Sequence, residues 1–190
     1  MQISEVLREV QNEFPALPRS QLTEFFETFR AIVHYAAVVL ESGKFKPAAL
    51  GDEKLNEKRD FQQHLIETCR MRLGPDLREA GEVTGGTLDV RYLNVIIEFK
   101  IERELSDREL IRSKYLAQPA QYRAVAFPVG ILVILDLTQK RRPPANIANN
   151  ISLETAYVHG FEQPDTQTYP TKIAVAIIDG NTEWPSSYSA

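Results

Sequence analysis

The sequence predicts an α/β layered domain in which helices flank a mixed central β-sheet. Three observations carry this. Apolar residues recur at helical spacing through most of the stretch up to residue 74. A period of two takes over in "GGTLDVRYL" (85–93) and "VIIEFKI" (95–101). "VGILVILDLT" (129–138) is almost unrelieved apolar, the pattern of a central strand covered on both faces.

The elements follow in order. "ISEVLREVQNEF" (3–14) is an amphipathic helix ended by the prolines of "PALP". "RSQLTEFFETFRAIVHYAAVVLESG" (19–43) is a longer helix, with Ser20 as N-cap and Gly43 as stop. Its apolar residues cover more than one stripe, so it is expected to pack on two sides. "KFKPAALGDEK" (44–54) reads as linker. A third helix runs through "NEKRDFQQHLIETCRMRLG" (56–74), with Asn56 as cap and Gly74 as stop. The two alternating runs form a hairpin turning at Asn94. "SDRELIRSKYLAQPAQYRAVAF" (106–127) is helical, opened by Ser106 and disturbed at Pro119. After the buried strand, "QKRRPPANIANN" (139–150) is loop, and "LETAYVHGF" (153–161) and "KIAVAIIDG" (172–180) are further strands. Residues 1–50 make an N-terminal helical extension packed on or beside a core formed by 51–190, the whole a single globular unit.

Composition excludes several classes. The chain has 190 residues, 43% apolar and 25% charged, enough for one domain burying roughly 70% of its unfolded surface. A net charge of −4 gives no global basic field. The single cysteine, Cys69, excludes an internal disulfide and cysteine-pair zinc sites, and His34, His64 and His159 lack metal-ligand spacing. "AIVHYAAVVL" (31–40) is too short to span a bilayer, and "MQISEVLREV" has acidic residues and no apolar signal core. A soluble, cytoplasmic protein without membrane association is expected. There is no G-x-G-x-x-G or Walker loop, and "GEVTGG" (81–86) precedes a strand instead of opening a helix, which disfavours a nucleotide-type small-molecule enzyme.

The hairpin "DVRYLNVIIEFKI" (89–101) carries the chemistry. Burying charge is expensive, yet Asp89, Glu98 and Lys100 interrupt an apolar run. Alternation puts Ile96, Glu98 and Lys100 on one face of the second strand. With a two-residue loop of Leu93 and Asn94, Tyr92 pairs with Val95 and Asp89 lies opposite Glu98, about 5 Å apart at Cβ. Two carboxylates at that distance repel unless a cation lies between them. Lys100 supplies one positive charge, and a divalent ion such as Mg²⁺ resolves the rest. A three-residue loop would put Asp89 on the other face and remove the site.

"GGTLDVRYLNVIIEFKI" resembles the catalytic core of the PD-(D/E)XK nuclease superfamily, whose fold is called restriction-endonuclease-like. Asp89 matches the motif's aspartate, Glu98 its acidic residue and Lys100 its lysine, while Leu88 stands where the motif has proline. The resemblance covers roughly residues 56–138, including the order helix, hairpin, helix, strand. It implies that Asp89, Glu98 and the main-chain carbonyl of Phe99 hold Mg²⁺, with Mn²⁺ able to substitute. Lys100 then positions or deprotonates the attacking water. It also implies a glutamate on the preceding helix. Glu57 continues the Phe61, Leu65, Cys69 stripe, whereas Glu67 lines up with Asp60, Gln63 and Arg70 on the polar face, so Glu57 is the candidate fourth metal ligand. "QPAQY" (118–122) resembles the Q-x-x-x-Y motif of one nuclease branch, making Gln118 and Tyr122 candidate site residues, with Gln121 a rival for the glutamine.

From residue 99 to 142 there are nine Lys/Arg against five Asp/Glu, net +4, and Lys140, Arg141 and Arg142 form a candidate phosphate-binding loop. The expected function is therefore metal-dependent hydrolysis of DNA phosphodiesters, with RNA a further substrate class and an endonuclease favoured over an exonuclease. Restriction or phage defence is among the settings this activity fits. The alternative is a catalytically inactive nucleic-acid-binding or assembly module of the same fold. A homodimer through the N-terminal helices and a protein partner supplying specificity are further expectations.

Overall fold

The computed structural model describes residues 1–51, 54–79, 82–83, 86–87, 90–116, 128–141, 146–157 and 171–183. Helices α1 (Ile3–Glu13), α2 (Arg19–Ser42) and the short α3 (Lys46–Ala49) come first. A π-helical segment, Glu57–Gln62, then runs directly into α4 (Gln63–Leu73). Short strands β1 (Leu77–Glu79), β2 (Glu82–Val83), β3 (Gly86–Thr87) and β4 (Val90–Tyr92) lead to the long β5 (Val95–Glu102). Helix α5 (Arg108–Tyr115), β6 (Val129–Asp136), β7 (Ile151–Ala156) and β8 (Thr171–Asp179) follow. Six strands form one mixed sheet in the order β1-β4-β5-β6-β8-β7, and β2 and β3 pair only with each other. β5, β6 and β8 run parallel at its centre, while β4 on β5 and β7 on β8 are antiparallel.

The two faces of the sheet divide the chain. Val95, Ile97 and Phe99 of β5, Ile131, Val133 and Leu135 of β6, and Ala174, Ala176 and Ile178 of β8 join the buried faces of α1, α2 and α4 in the larger apolar core. The alternate residues Leu132, Ile134, Ile173, Val175 and Ile177 form a smaller core with Ile111 of α5. All eight residues of β6 are buried, as expected of a central parallel strand. Helix α2 buries Leu22, Phe25, Phe29, Ile32, Tyr35 and Val39 among others, and packs against both the sheet and α4. Residues of the N-terminal helices thus share one core with the sheet.

Several local readings change. Helix α2 starts at Arg19 with Pro18 at its N-cap and no side-chain cap, so Ser20 lies inside the first turn; Gly43 ends it in the left-handed region, φ 60°. The expected linker contains α3, and the expected loop at 139–150 contains a 3₁₀ turn, Ile147–Asn150. Asp107, not Ser106, caps α5, its carboxylate accepting from the amides of Glu109 and Leu110 at 2.9 and 3.0 Å. Asn56 does cap its helix, accepting from the Arg59 amide at 2.9 Å, but the first six residues that follow are π-helical. Strand β1, which pairs with β4, was not legible in the alternation. Gly86 and Thr87 belong to the separate β2–β3 pair instead of extending β4.

Rings lock the π-helical segment onto β5. Phe61 meets Phe99 edge-on at 5.3 Å between centroids and Phe45 at 5.7 Å, with all three rings buried. Phe61→Ala is expected to lower stability to urea by about 3–5 kcal/mol, the usual cost of deleting a buried ring. A loss below about 1 kcal/mol would show that this ring does not hold the helix to the sheet.

Candidate active site and the charged face of the sheet

The register of the hairpin decides what the strands can bring together. Tyr92 pairs with Val95, Arg91 with Ile96 and Val90 with Ile97, so the loop holds two residues, Leu93 and Asn94. Leu93 takes a left-handed φ of 51°, which costs a residue with a Cβ about 1–2 kcal/mol. Two contacts hold the turn: the Arg91 guanidinium donates to the Leu93 carbonyl, and Asn94 Nδ2 donates to Glu24 of α2 at 2.9 Å. The described pairing reaches Val90↔Ile97, one step before Glu98.

Because Val95, Ile97 and Phe99 enter the larger core, alternation sends Ile96, Glu98, Lys100 and Glu102 to the α5 face. Glu98 is 1% exposed, and Lys100 Nζ lies 2.8 Å from its Oε1, with the lysine side chain 16% exposed. A carboxylate and an ammonium two residues apart on one strand therefore share a largely desolvated position. Opposite Glu98 and Lys100 on β6 stand Leu132 and Ile134, both apolar. Phe99 faces the other way, its ring in the larger core.

Glu57 occupies the first turn of the π-helical segment and is partly buried. That segment packs against the Phe99 face of β5 through Phe61. Phe61, Leu65 and Cys69 of its stripe are buried, and Glu67 is exposed, accepting from Gln63 Nε2 at 3.0 Å. Gln62 is also buried, a position the expected α-helical spacing did not single out. Asp89, Gln118, Gln121, Tyr122 and Arg142 lie outside the described residues. Among the described residues, no three His, Cys, Asp or Glu side chains come together as a metal-holding group. Lys140 turns inward: its Nζ is 2.8 Å from Asp136 Oδ2 and its side chain is 14% exposed. Arg141 is exposed.

A second set of charges lies farther along the same face. β5, β6 and β8 each end in an acid, and the parallel register places Glu102, Asp136 and Asp179 side by side. All three are at least 98% buried. Each has its own cation: Lys114 Nζ donates to Glu102 at 2.8 Å, Lys140 approaches Asp136, and Arg108 donates to both oxygens of Asp179 at 3.1 Å. Neutral donors complete the row. Tyr115 Oη donates to Glu102 at 3.1 Å, the Thr138 amide and hydroxyl donate to Asp136 at 2.8 and 2.6 Å, and Asn150 donates to Asp179 at 2.8 Å. Since Arg108 and Lys114 both sit on α5, the helix is clasped to the sheet at both ends. A buried carboxylate is tolerated only with such partners. The row was missed from sequence, although a signal existed: "VIIEFKIE", "VGILVILD" and "KIAVAIID" each close an apolar strand with an acid.

Electrostatics differ along the row. Burial alone would raise the Glu102 carboxyl, but hydrogen bonds from Lys114, the Glu104 and Leu105 amides and Tyr115 outweigh it and lower its pKa to about 2. Asp179 moves the opposite way, pushed up by burial, with Asn150 and Arg108 opposing and Asp136 adding to the rise. Burial also raises the Tyr35 phenol, which hydrogen-bonds His64 Nδ1 at 2.8 Å inside the helical layer. No helix among the described residues is long and apolar enough to cross a membrane.

Fold and site together define an α/β domain with a mixed six-stranded sheet, helices on both faces, and an ion-paired face under α5. No family model, curated protein or solved structure matches the chain.

The depressed Glu102 pKa fixes a sign. A carboxyl whose folded pKa lies below its unfolded value, about 4.3, contributes stability that is present above that value and lost as pH falls toward 2. Glu102→Gln is therefore expected to be less stable than wild type near pH 7, with the gap closing between about pH 5 and pH 2 in urea titrations. A gap that stays constant with pH would contradict the assignment.

Proposed function

We propose that the chain is a cytoplasmic metal-dependent nuclease of the restriction-endonuclease-like fold, hydrolysing DNA phosphodiesters at a site built on Asp89, Glu98 and Lys100. The observation that carries this reading is the Glu98–Lys100 pair, a buried carboxylate and a partly buried ammonium 2.8 Å apart on one face of the strand that follows the two-residue turn. The order of elements supports it: a helix ending at Leu73, the β4–β5 hairpin, α5, then β6 parallel to β5. The even loop is the register the reading requires, and Asp89 directly precedes the described start of β4.

The donor set suits a hard cation. Glu98 offers a desolvated carboxylate, Phe99 a main-chain carbonyl and Asp89 a second carboxylate, all oxygen ligands of the kind Mg²⁺ takes, with Mn²⁺ as substitute. Glu57 is the candidate for a further ligand. A divalent ion bound there would lower the pKa of a coordinated water and offset charge developing on the scissile phosphate.

The chain's own groups do the rest. Lys100 is held by Glu98 with its ammonium at a fixed place, where it can orient the attacking water and stabilise negative charge on the phosphate oxygens. In a mostly dry setting that interaction is stronger than in water and needs no reorganisation. No covalent intermediate is invoked, since water is the nucleophile. Arg141 is exposed and suited to backbone phosphates, whereas Lys140 is committed to Asp136.

Lys100→Ala and Asp89→Ala are each expected to reduce Mg²⁺-dependent cleavage of plasmid and single-stranded DNA at least about 100-fold, in protein that still melts cooperatively. Wild-type rates in both variants would reject the assignment. A wild-type protein that binds DNA without cutting it, with or without Mn²⁺, would favour the inert binding module instead.

A further inference from the structure

A cleft of about 670 Å³ lies where β5 ends, lined by Ala48, Gly51, Lys54, Leu55, Asn56, Arg59 and Arg103. Three of these carry positive charge, and among the described lining residues none is acidic. Asp52 and Glu53, between Gly51 and Lys54 in the chain, lie outside the described residues. The volume is in the range of small-ligand sites. None of its cations is committed to a buried carboxylate, unlike Arg108, Lys114 and Lys140 on the charged face.

Each cation reaches the cleft from a different element, and two are oriented there. Arg59 is steered by Asp60, donating from Nε at 2.9 Å and Nη2 at 3.3 Å, while Asp60 also accepts from the Asn56 amide at 2.7 Å. Its side chain remains 78% exposed, leaving guanidinium donors for a ligand. Arg103 donates to the Ala48 carbonyl at 3.4 Å, which draws it toward α3, and both residues line the cleft. Lys54 is an exposed lining residue. Guanidinium pairs of this kind match the oxygens of phosphate, and a mobile ammonium adds a point charge.

We infer that this cleft binds phosphate groups, and, resting on the nuclease reading above, that these are backbone phosphates of the strand engaged at Glu98 and Lys100. Position favours the polynucleotide source. Arg103 is three residues beyond Lys100, a reach of at most about 11 Å along the chain. The cleft lies on the Phe99 side of β5 and the Lys100 side chain on the other, so a strand engaged at both would cross the end of β5 beside Arg103.

The test compares wild type with Lys54→Gln/Arg59→Gln/Arg103→Gln, all surface changes, after matching thermal melts confirm folding. In EDTA, which prevents cutting, anisotropy of a labelled duplex of about 20 base pairs is followed between about 50 and 200 mM salt. A slope of log K against log salt shallower by about 2–3 in the triple variant supports the polynucleotide source, at about 0.9 per lost phosphate contact. Tripolyphosphate titrated by calorimetry is the second arm. If wild type ignores the duplex but binds tripolyphosphate, and the variant binds neither, the cleft takes a free phosphate compound and the nuclease reading fails by itself. If the variant binds both probes as wild type does, or wild type binds neither, the inference is overturned.

Discussion

β5 must satisfy two environments at once, and the remainder of the structure follows from how it does so. Its odd-numbered residues enter the larger core against the helical layer, with Phe99 meeting Phe61 there. Strand alternation then leaves no choice for Glu98, Lys100 and Glu102, which must share the opposite face. That face is not open water, because α5 covers part of it and the neighbouring strands are apolar. Each charge placed there needs a partner, or its desolvation would cost several kcal/mol.

Two solutions appear along the one strand. At Glu102 the charge is joined to a row across three parallel strands, where every carboxylate is matched by a cation and at least one neutral donor. That row is closed: its cations are committed inward, and its role is to bind α5 to the sheet. At Glu98 the cation comes from the same strand, Lys100 at 2.8 Å, with Leu132 and Ile134 alongside on β6. The proposed chemistry rests on the Glu98–Lys100 pair, while the row at Glu102 ties α5 to the sheet through Lys114 and Arg108.

Much of this was legible in the residues. The apolar run 129–138 identified the central strand, Asn94 marked the turn while its two-residue length had to be assumed, and alternation put Glu98 and Lys100 together. Asn56 and Gly74 marked the ends of their helix because capping and left-handed backbone are local demands. Other features depend on long-range packing and left weaker traces. The π-helical turn at Glu57–Gln62 shifts side chains off the α-helical spacing used to place Glu57. Ser20 and Ser106 are good caps by type, yet Pro18 and Asp107 occupy those positions. Lys140 read as part of a basic loop, but the acid that captures it, Asp136, sits at the end of the strand just before. The row it belongs to needs the β5–β6–β8 register, which no single segment contains.

We propose that the buried Glu98 carboxylate belongs to a divalent-metal site completed by Asp89. Anomalous diffraction from a crystal soaked in Mn²⁺ tests it most directly. A metal held there gives a peak within about 2.5 Å of a Glu98 oxygen, lost in Asp89→Ala crystals soaked in the same way. A well-ordered Glu98–Lys100 pair with no anomalous density beside it, at Mn²⁺ concentrations that saturate other sites in the crystal, would contradict it.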